Sequence, residues 1–298
     1  MDAVTIERLT KDYGPTRALD AATWSVPTGK LLGFLGPNGA GKTTTLRILL
    51  GFLKATAGRA AVLGMDVRNE STSIRRRVGY LPGDVRLYDH LTGWQTVEFV
   101  ARARRLPDGS EARRLADVFQ LELAGRVRTY SKGMRQKLGL IVALMHRPEL
   151  LLLDEPTASL DPLVQQVLYH ELREAAAGGR TVVFSSHSLA EVQALCDSVV
   201  ILRRGRVVAS KPVADLRNEA GQRVQFRPAS GAAPPGAGPD GFTLDASADG
   251  WLTGRWRGEP EALLTWLASL RPQQVVIEPA DLEDLFLAYY NDQPDEPT

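Results

Sequence analysis

Apolar and polar residues alternate from Val4 to Leu9, which is the period of a strand buried on one face. Leu31 to Leu35, Leu150 to Leu153 and Thr181 to Ser185 are instead short apolar runs, as expected of strands covered on both faces. Trp24 to Pro27 reads as one further strand. Between these runs the period lengthens. Lys42 to Phe52 predicts a helix, and Leu163 to Ala177 predicts a crossover helix joining two strands, so the sheet they serve is parallel.

From Gly93 to Met145 the pattern is helical, with Thr96, Phe99, Val100 and Ala103 on one face and a second run from Glu111 to Phe119. An inserted helical subdomain over about residues 93–148 is expected. Val199 to Leu202 and Arg206 to Ala209 predict a small hairpin. The composition then changes, because seven of the thirteen residues from Ala229 to Gly241 are Gly or Pro, which marks a loop. Beyond it come strand-like Phe242 to Leu244 and Trp251 to Arg255, a helix from Glu259 to Leu270, a strand at Gln274 to Ile277 and a last helix from Ala280 to Tyr290. The expected organisation is an α/β domain over 1–215 and a small α+β domain over 216–298. Trp251, Trp256 and Trp266 read as the core of the latter in preference to a ligand site.

A content of 44% hydrophobic residues in 298 is enough for a substantial core. Lys and Arg total 36 against 35 Asp and Glu, and a net charge of +1 gives no general reason to bind nucleic acid or an anionic bilayer. Apolar stretches such as Leu138 to Met145 fall far short of a membrane span. The acidic, non-apolar start and the single Cys196, read as a packing residue, fit the cytoplasm.

The chemistry concentrates in two places. Gly36-Pro37-Asn38-Gly39-Ala40-Gly41-Lys42-Thr43 has P-loop spacing and stands between a predicted strand and a predicted helix. Gly39 and Gly41 let the backbone turn its N–H groups toward a phosphate, and the helix start adds a positive dipole end. Lys42 can reach the β- and γ-phosphates, the Thr43 hydroxyl can ligate Mg²⁺, and Thr44 can reach the α-phosphate. Leu150 to Leu153 run into Asp154 and Glu155, two acids at the C-terminal end of a buried strand. Asp154 is the candidate Mg²⁺ holder. Glu155 is the candidate catalytic base for the attacking water, an effect worth about 10² to 10⁴ in rate.

With these motifs in this order, residues 1–209 resemble the ATP-binding-cassette (ABC) ATPase family: a P-loop cassette with a mixed sheet core and a helical subdomain. Tyr130-Ser131-Lys132-Gly133-Met134-Arg135-Gln136 resembles its signature segment, Ser159-Leu160-Asp161 its D-loop, His187 its switch histidine, and Lys11-Asp12-Tyr13-Gly14 its adenine-stacking loop. The resemblance implies ATP and Mg²⁺ as cofactors, with Ser131, Lys132, Gly133 and Met134 contacting the γ-phosphate held by a partner cassette. It implies Asp161 at the interface between the two, His187 at the γ-phosphate or water, and Tyr13 on adenine. A head-to-tail dimer follows, since one chain has one P-loop and one signature.

Two positions depart from the family. Lys132 replaces a usual glycine, and the Q-loop glutamine position falls on Gly83. Asp84 is either a substitute at the metal or a surface acid, and the sequence leaves both open. The Tyr-Ser-Lys-Gly-Met form and the C-terminal appendage resemble the ABC-2 type branch of exporters. That branch implies a separate membrane permease, received near the helical subdomain and Gly83 to Thr92, and a place on the cytoplasmic face of the membrane. A soluble ABC protein acting on ribosomes or nucleic acid, and a nucleotide-sensing regulator, are the alternative readings. The transported molecule is not encoded here.

Overall fold

A computed structural model describes residues 1–106, 108–228 and 238–279. In chain order the elements begin with β1 (Asp2–Tyr13), β2 (Thr16–Pro27), β3 (Leu31–Leu35), α1 (Lys42–Leu49), β4 (Ala57–Val62), β5 (Met65–Asp66), α2 (Ser71–Arg77) and β6 (Val78–Leu81). There follow α3 (Gly93–Arg104), α4 (Ser110–Val118), α5 (Lys132–Leu144), β7 (Leu150–Asp154), α6 (Pro162–Ala177), β8 (Thr181–Ser186), α7 (Leu189–Leu195), β9 (Ser198–Arg203) and β10 (Arg206–Pro212). The chain divides into two compact units, Met1–Ser210 and Lys211–Thr298.

In the first unit a six-stranded sheet runs β10-β9-β3-β8-β7-β6, and an antiparallel sheet runs β2-β1-β4-β5. β3 pairs in parallel with β8 and β9, and β7 with β6 and β8. Every residue of β3, β7 and β8 is buried, which is why these strands are continuous apolar runs. The parallel order carries the C-terminal ends of β3, β7 and β8 to one edge of the sheet, where Gly36, Glu155 and His187 follow. α1 ends at Leu49, short of the expected Phe52, because Gly51 turns the chain at φ 68° and a Cβ there would meet Ser71 Cβ at 2.3 Å.

The buried face of α3 differs from the expected one. Thr96 and Val97 are buried, whereas Phe99 is 54% exposed and Ala103 is also at the surface. The fully buried residues of α3 lie in its first turns, where Gly93 sits against Tyr130 and Leu123, while farther along Arg104 is half-buried and donates to the carbonyls of Arg76 and Val78. Thr92 starts it with a capping box, its hydroxyl accepting from the Gln95 N–H while the Gln95 side chain accepts from the Thr92 N–H.

The second unit holds α8 (Val213–Ala220), β11 (Gln222–Arg227), β12 (Phe242–Ala248), β13 (Trp251–Trp256), α9 (Pro260–Leu270) and β14 (Gln274–Pro279). Its antiparallel sheet has the order β12-β13-β11-β14, and β11 was not legible as a strand. Trp256 is buried, and Trp266 packs on Phe242 and Phe226 with ring centroids 4.6 and 5.5 Å away, so both tryptophans serve the core. Trp251 is half-buried. The expected helix from Ala280 to Tyr290 and most of the Gly/Pro-rich loop lie outside the described residues.

Candidate functional site

The loop from Gly36 to Gly41 leaves β3 and enters α1 with Gly39 at φ 83° and Gly41 at φ 109°, a region that residues with a Cβ rarely adopt. A Cβ on Gly36 would meet Leu202 O at 2.4 Å and one on Gly41 would meet Ala18 O at 2.6 Å, so both glycines are packed against backbone. Gly39 faces open space. Gly41 caps α1 without any side-chain hydrogen bond, which leaves the first N–H groups of the helix available to an anion.

These groups line a cleft of about 280 Å³ together with Asp154 and Glu155; Pro37, Asn38, Gly39, Gly41, Lys42, Thr43, Thr44, Ala18 and Gly83 complete it. Thr43 Oγ1 donates to Asp154 Oδ2 at 2.6 Å, so the candidate metal ligands from α1 and β7 converge. The Lys42 ammonium is buried, donates to the carbonyls of Gly36 and Pro37 at 2.5 and 3.3 Å, and lies 3.4 Å from Glu155 Oε1. His187 Nδ1 sits 3.2 Å from the other carboxylate oxygen, Oε2. Glu155 is therefore bracketed by Lys42 and His187, one on each oxygen.

Two residues to which the sequence assigns no contact with the acids hold these groups in place. Ser185 is buried at the end of β8, and its hydroxyl donates to Asp154 Oδ1 at 2.6 Å and accepts from the Glu155 N–H at 3.0 Å. The Gln136 side chain, buried on α5, donates to the carbonyls of Glu155 and Pro156 at 3.2 and 3.1 Å. Gln136 closes the signature segment and Ser185 stands two residues before His187, but neither position announces these contacts. Tyr80 on β6 also lies near, and burial, followed by the charge of Asp154, raises its phenol above the ordinary range.

The remaining candidates fall elsewhere. Asp84 does not line the cleft; its carboxylate is exposed and pairs with Arg86 at 2.8 Å. Gly83 does line it, and a Cβ there would stand 3.4 Å from Asp154 Oδ2. Tyr13 is 45% exposed with the Lys11 ammonium 5.0 Å from its ring centroid, outside the cleft lining. Ser131 caps α5, its hydroxyl accepting from the Met134 N–H at 3.2 Å, and Asp161 caps α6 by accepting from Val164 N at 3.0 Å. Gly133 packs beside Ser159, where a Cβ would meet Ser159 O at 2.7 Å. None of Ser131, Lys132, Gly133, Met134 or Asp161 lines the cleft of its own chain.

A family model described as ABC transporter matches residues 19–158. A second, described as AAA domain, putative AbiEii toxin, Type IV TA system, matches residues 126–193. An uncharacterised ABC transporter ATP-binding protein of Synechocystis sp. is 35% identical over 275 residues, 88% of this chain and 75% of that one. The chain belongs to the ABC transporter ATP-binding family. The daunorubicin resistance ATP-binding protein of Streptomyces coeruleorubidus is 39% identical to this ABC subunit over 225 residues, 74% of this chain and 71% of that one. The linearmycin resistance ATP-binding protein of Bacillus subtilis is 32% identical over 222 residues, 72% and 71% of the two chains.

Among solved structures, the ATP-binding subunit of an ABC transporter superposes with a TM-score of 0.68 at 31% identity, covering 73% of this chain and 92% of that one. A dimeric ATP-binding cassette in a post-hydrolysis state with ADP and Pi superposes with a TM-score of 0.64 at 24% identity, covering 70% and 98%, a likeness of fold. The ABC cassette fold and the ATPase class of the protein follow from these matches.

Proposed function

We propose that this ABC subunit hydrolyses ATP to drive export through a separate ABC-2 type permease, at the cytoplasmic face of the membrane and as a head-to-tail dimer of cassettes. The observation that carries the reading is the convergence of Lys42, Thr43, Asp154 and Glu155 on one cleft, with His187 against the Glu155 carboxylate, while the signature residues do not line it. A cleft with a phosphate cradle and a candidate base, but without the signature that its family applies to the γ-phosphate, is completed by a second copy.

In this reading the uncapped first turn of α1 and the Lys42 ammonium hold the phosphates. Glu155 orients the attacking water and accepts its proton, with its carboxylate fixed by Lys42 and His187. Thr43 and Asp154 are suited to Mg²⁺, a hard cation that takes oxygen ligands and neutralises charge on the phosphates when bound. Among the described residues no group of three or more His, Cys, Asp or Glu side chains stands ready as a metal site, which fits a cation that draws its other oxygens from nucleotide and water. Tyr13 is placed on adenine once nucleotide binds.

Support for the exporter assignment comes from the relatives named for resistance to daunorubicin and linearmycin. Among the described residues no helix is long and apolar enough to cross a membrane. The test is affinity purification of tagged Glu155→Gln protein from detergent-solubilised native membranes with ATP, followed by mass spectrometry. A multi-span membrane protein in stoichiometric amount is expected. Ribosomal, DNA-bound or purely soluble partners would overturn the reading in favour of a soluble ABC protein.

A further inference from the structure

Glu155 and Ser159 both stand in the left-handed backbone region, at φ 48° and φ 65°. A residue with a Cβ stays there only where its surroundings enforce it, and such residues gather at functional sites. The stretch from Glu155 to Ser159, which leaves β7 and leads toward α6, therefore takes a shape set by what touches it.

Two elements grip this stretch at Glu155. From β8, the Ser185 hydroxyl accepts from the Glu155 N–H at 3.0 Å. From α5, the Gln136 amide nitrogen donates to the carbonyls of Glu155 and Pro156 at 3.2 and 3.1 Å, and only 5% of Gln136 is exposed. A side-chain amide nitrogen has two protons to donate, and the two carbonyls match them. The left-handed residue is thus pinned at its N–H and at its C=O. Its side chain is the carboxylate that lies 3.4 Å from Lys42 Nζ and 3.2 Å from His187 Nδ1.

α5 is also the helix that the signature segment opens. Ser131 caps it, Lys132, Gly133 and Met134 lie in its first turn, and Gln136 follows about one turn after Lys132. Gly133 approaches the other end of the stretch, where a Cβ would meet Ser159 O at 2.7 Å. The start of α5 therefore bears on both left-handed residues. A displacement of that start reaches the Glu155 backbone through Gln136, and the carboxylate turns with the Cα that carries it. A general base works within about 2.6–3.2 Å of its proton, and a misplacement of about 1 Å can cost about 100-fold in rate.

We infer that Gln136 is a positioning residue for hydrolysis: its amide hangs the backbone of Glu155 from the helix that begins with the signature segment, and so sets where the carboxylate of its own chain stands. The inference rests on the reading of Glu155 as the base and adds the residue through which α5 acts on it. In the head-to-tail dimer of that reading the start of α5 serves the partner's cleft, whereas the carboxylate steadied by Gln136 serves its own. A role in positioning Glu155 and a role in building the signature therefore fall on different clefts.

Gln136→Met keeps the length of the side chain and removes its donors. The purified full-length variant is expected to remain folded and to bind ATP within about twofold of the wild type by titration calorimetry, with kcat lower by about 10- to 100-fold. Gln136→Asn, which keeps the amide but draws it back by one methylene, is expected to fall between the two. Mixed dimers then locate the effect. One copy carries Glu155→Gln, so that only the other copy's cleft hydrolyses. Gln136→Met on the hydrolysing copy should give the full loss, and on the Glu155→Gln copy, which lends its signature to the working cleft, should give almost none. Wild-type kcat in both Gln136 variants, a fall in ATP affinity that matches the fall in kcat, or a loss that follows the signature-lending copy would each overturn the inference while leaving Glu155 as the base. If dimers with Glu155→Gln in both copies hydrolyse ATP as fast as the wild type, the reading of Glu155 and this inference fall together.

Discussion

Lys42 Nζ lies 3.4 Å from Glu155 Oε1, so the P-loop lysine and the acid after β7 meet across the nucleotide cleft. With only 5% of its surface exposed, this lysine has little water to fall back on when its partners are removed. Lys42→Ala is expected to weaken ATP binding about 10- to 100-fold, the range for a lost hydrogen bond to a charged group. Titration calorimetry checks this, and an unchanged affinity would take Lys42 out of the phosphate cradle.

Ser185 shares one hydroxyl between Asp154 Oδ1 and the Glu155 N–H. Ser185→Ala leaves both partners unpaired in a buried place, with an expected cost of about 1–3 kcal/mol in stability and a fall in kcat larger than any change in ATP affinity. Ser185→Thr keeps the hydroxyl and should restore turnover. If the threonine variant fails as the alanine does while remaining folded, the hydroxyl is not what matters.

Gly83 occupies the place where the family carries its glutamine. A Cβ there stands at ordinary contact distance from Asp154 Oδ2, 3.4 Å, and Gly83 has no left-handed φ, so a side chain can be admitted. Gly83→Gln is expected to lower the Mg²⁺ concentration needed for half-maximal turnover, because it adds an oxygen beside the candidate metal ligands. A Mg²⁺ titration of ATPase activity that matches the wild type would show that this corner of the cleft does not touch the metal.

His146 faces the interior with Nδ1 unpartnered and Nε2 3.3 Å from Val78 O. Burial first, and then the charge of Arg104, hold its pKa down to about 4 against about 6.5 in an unfolded chain. A depressed histidine favours folding while neutral in both states. Its contribution is complete above about pH 6.5 and is lost as the pH falls toward about 4, on the order of 3 kcal/mol in all. Denaturant unfolding at about pH 7 and about pH 4.5 should show a smaller difference for His146→Gln than for the wild type.

Much of the site was legible because it depends on short, rigid spacings. The glycines of the P-loop and the apolar runs ending at Leu35, Leu153 and Ser185 fix a strand, a turn and a helix from local sequence, each within one residue of the observed strand end. What escaped depends on contacts between segments far apart in the chain. Ser185 and Gln136 matter because β8 and α5 pass beside β7, and no local pattern announces it. Phe99 fits the spacing of an inward face, yet the fully buried residues of α3 are Gly93, Thr96 and Val97 and Phe99 is exposed. Asp84 follows the right motif but pairs with Arg86 across the bend that begins at Gly83, a turn that the motif spacing does not announce.

Glu155 sits at φ 48°, in the left-handed region that costs a residue with a Cβ roughly 1–2 kcal/mol. Glycine would accept that conformation freely. Glu155→Gly is therefore expected to melt about 2–4 °C higher than Glu155→Ala by calorimetry, because both strip Lys42 of its carboxylate and only the alanine keeps the strained backbone. A copy of this chain released from hydrolysis could shed that strain only through glycine, and no other small residue at the position of its acid would bring the same relief.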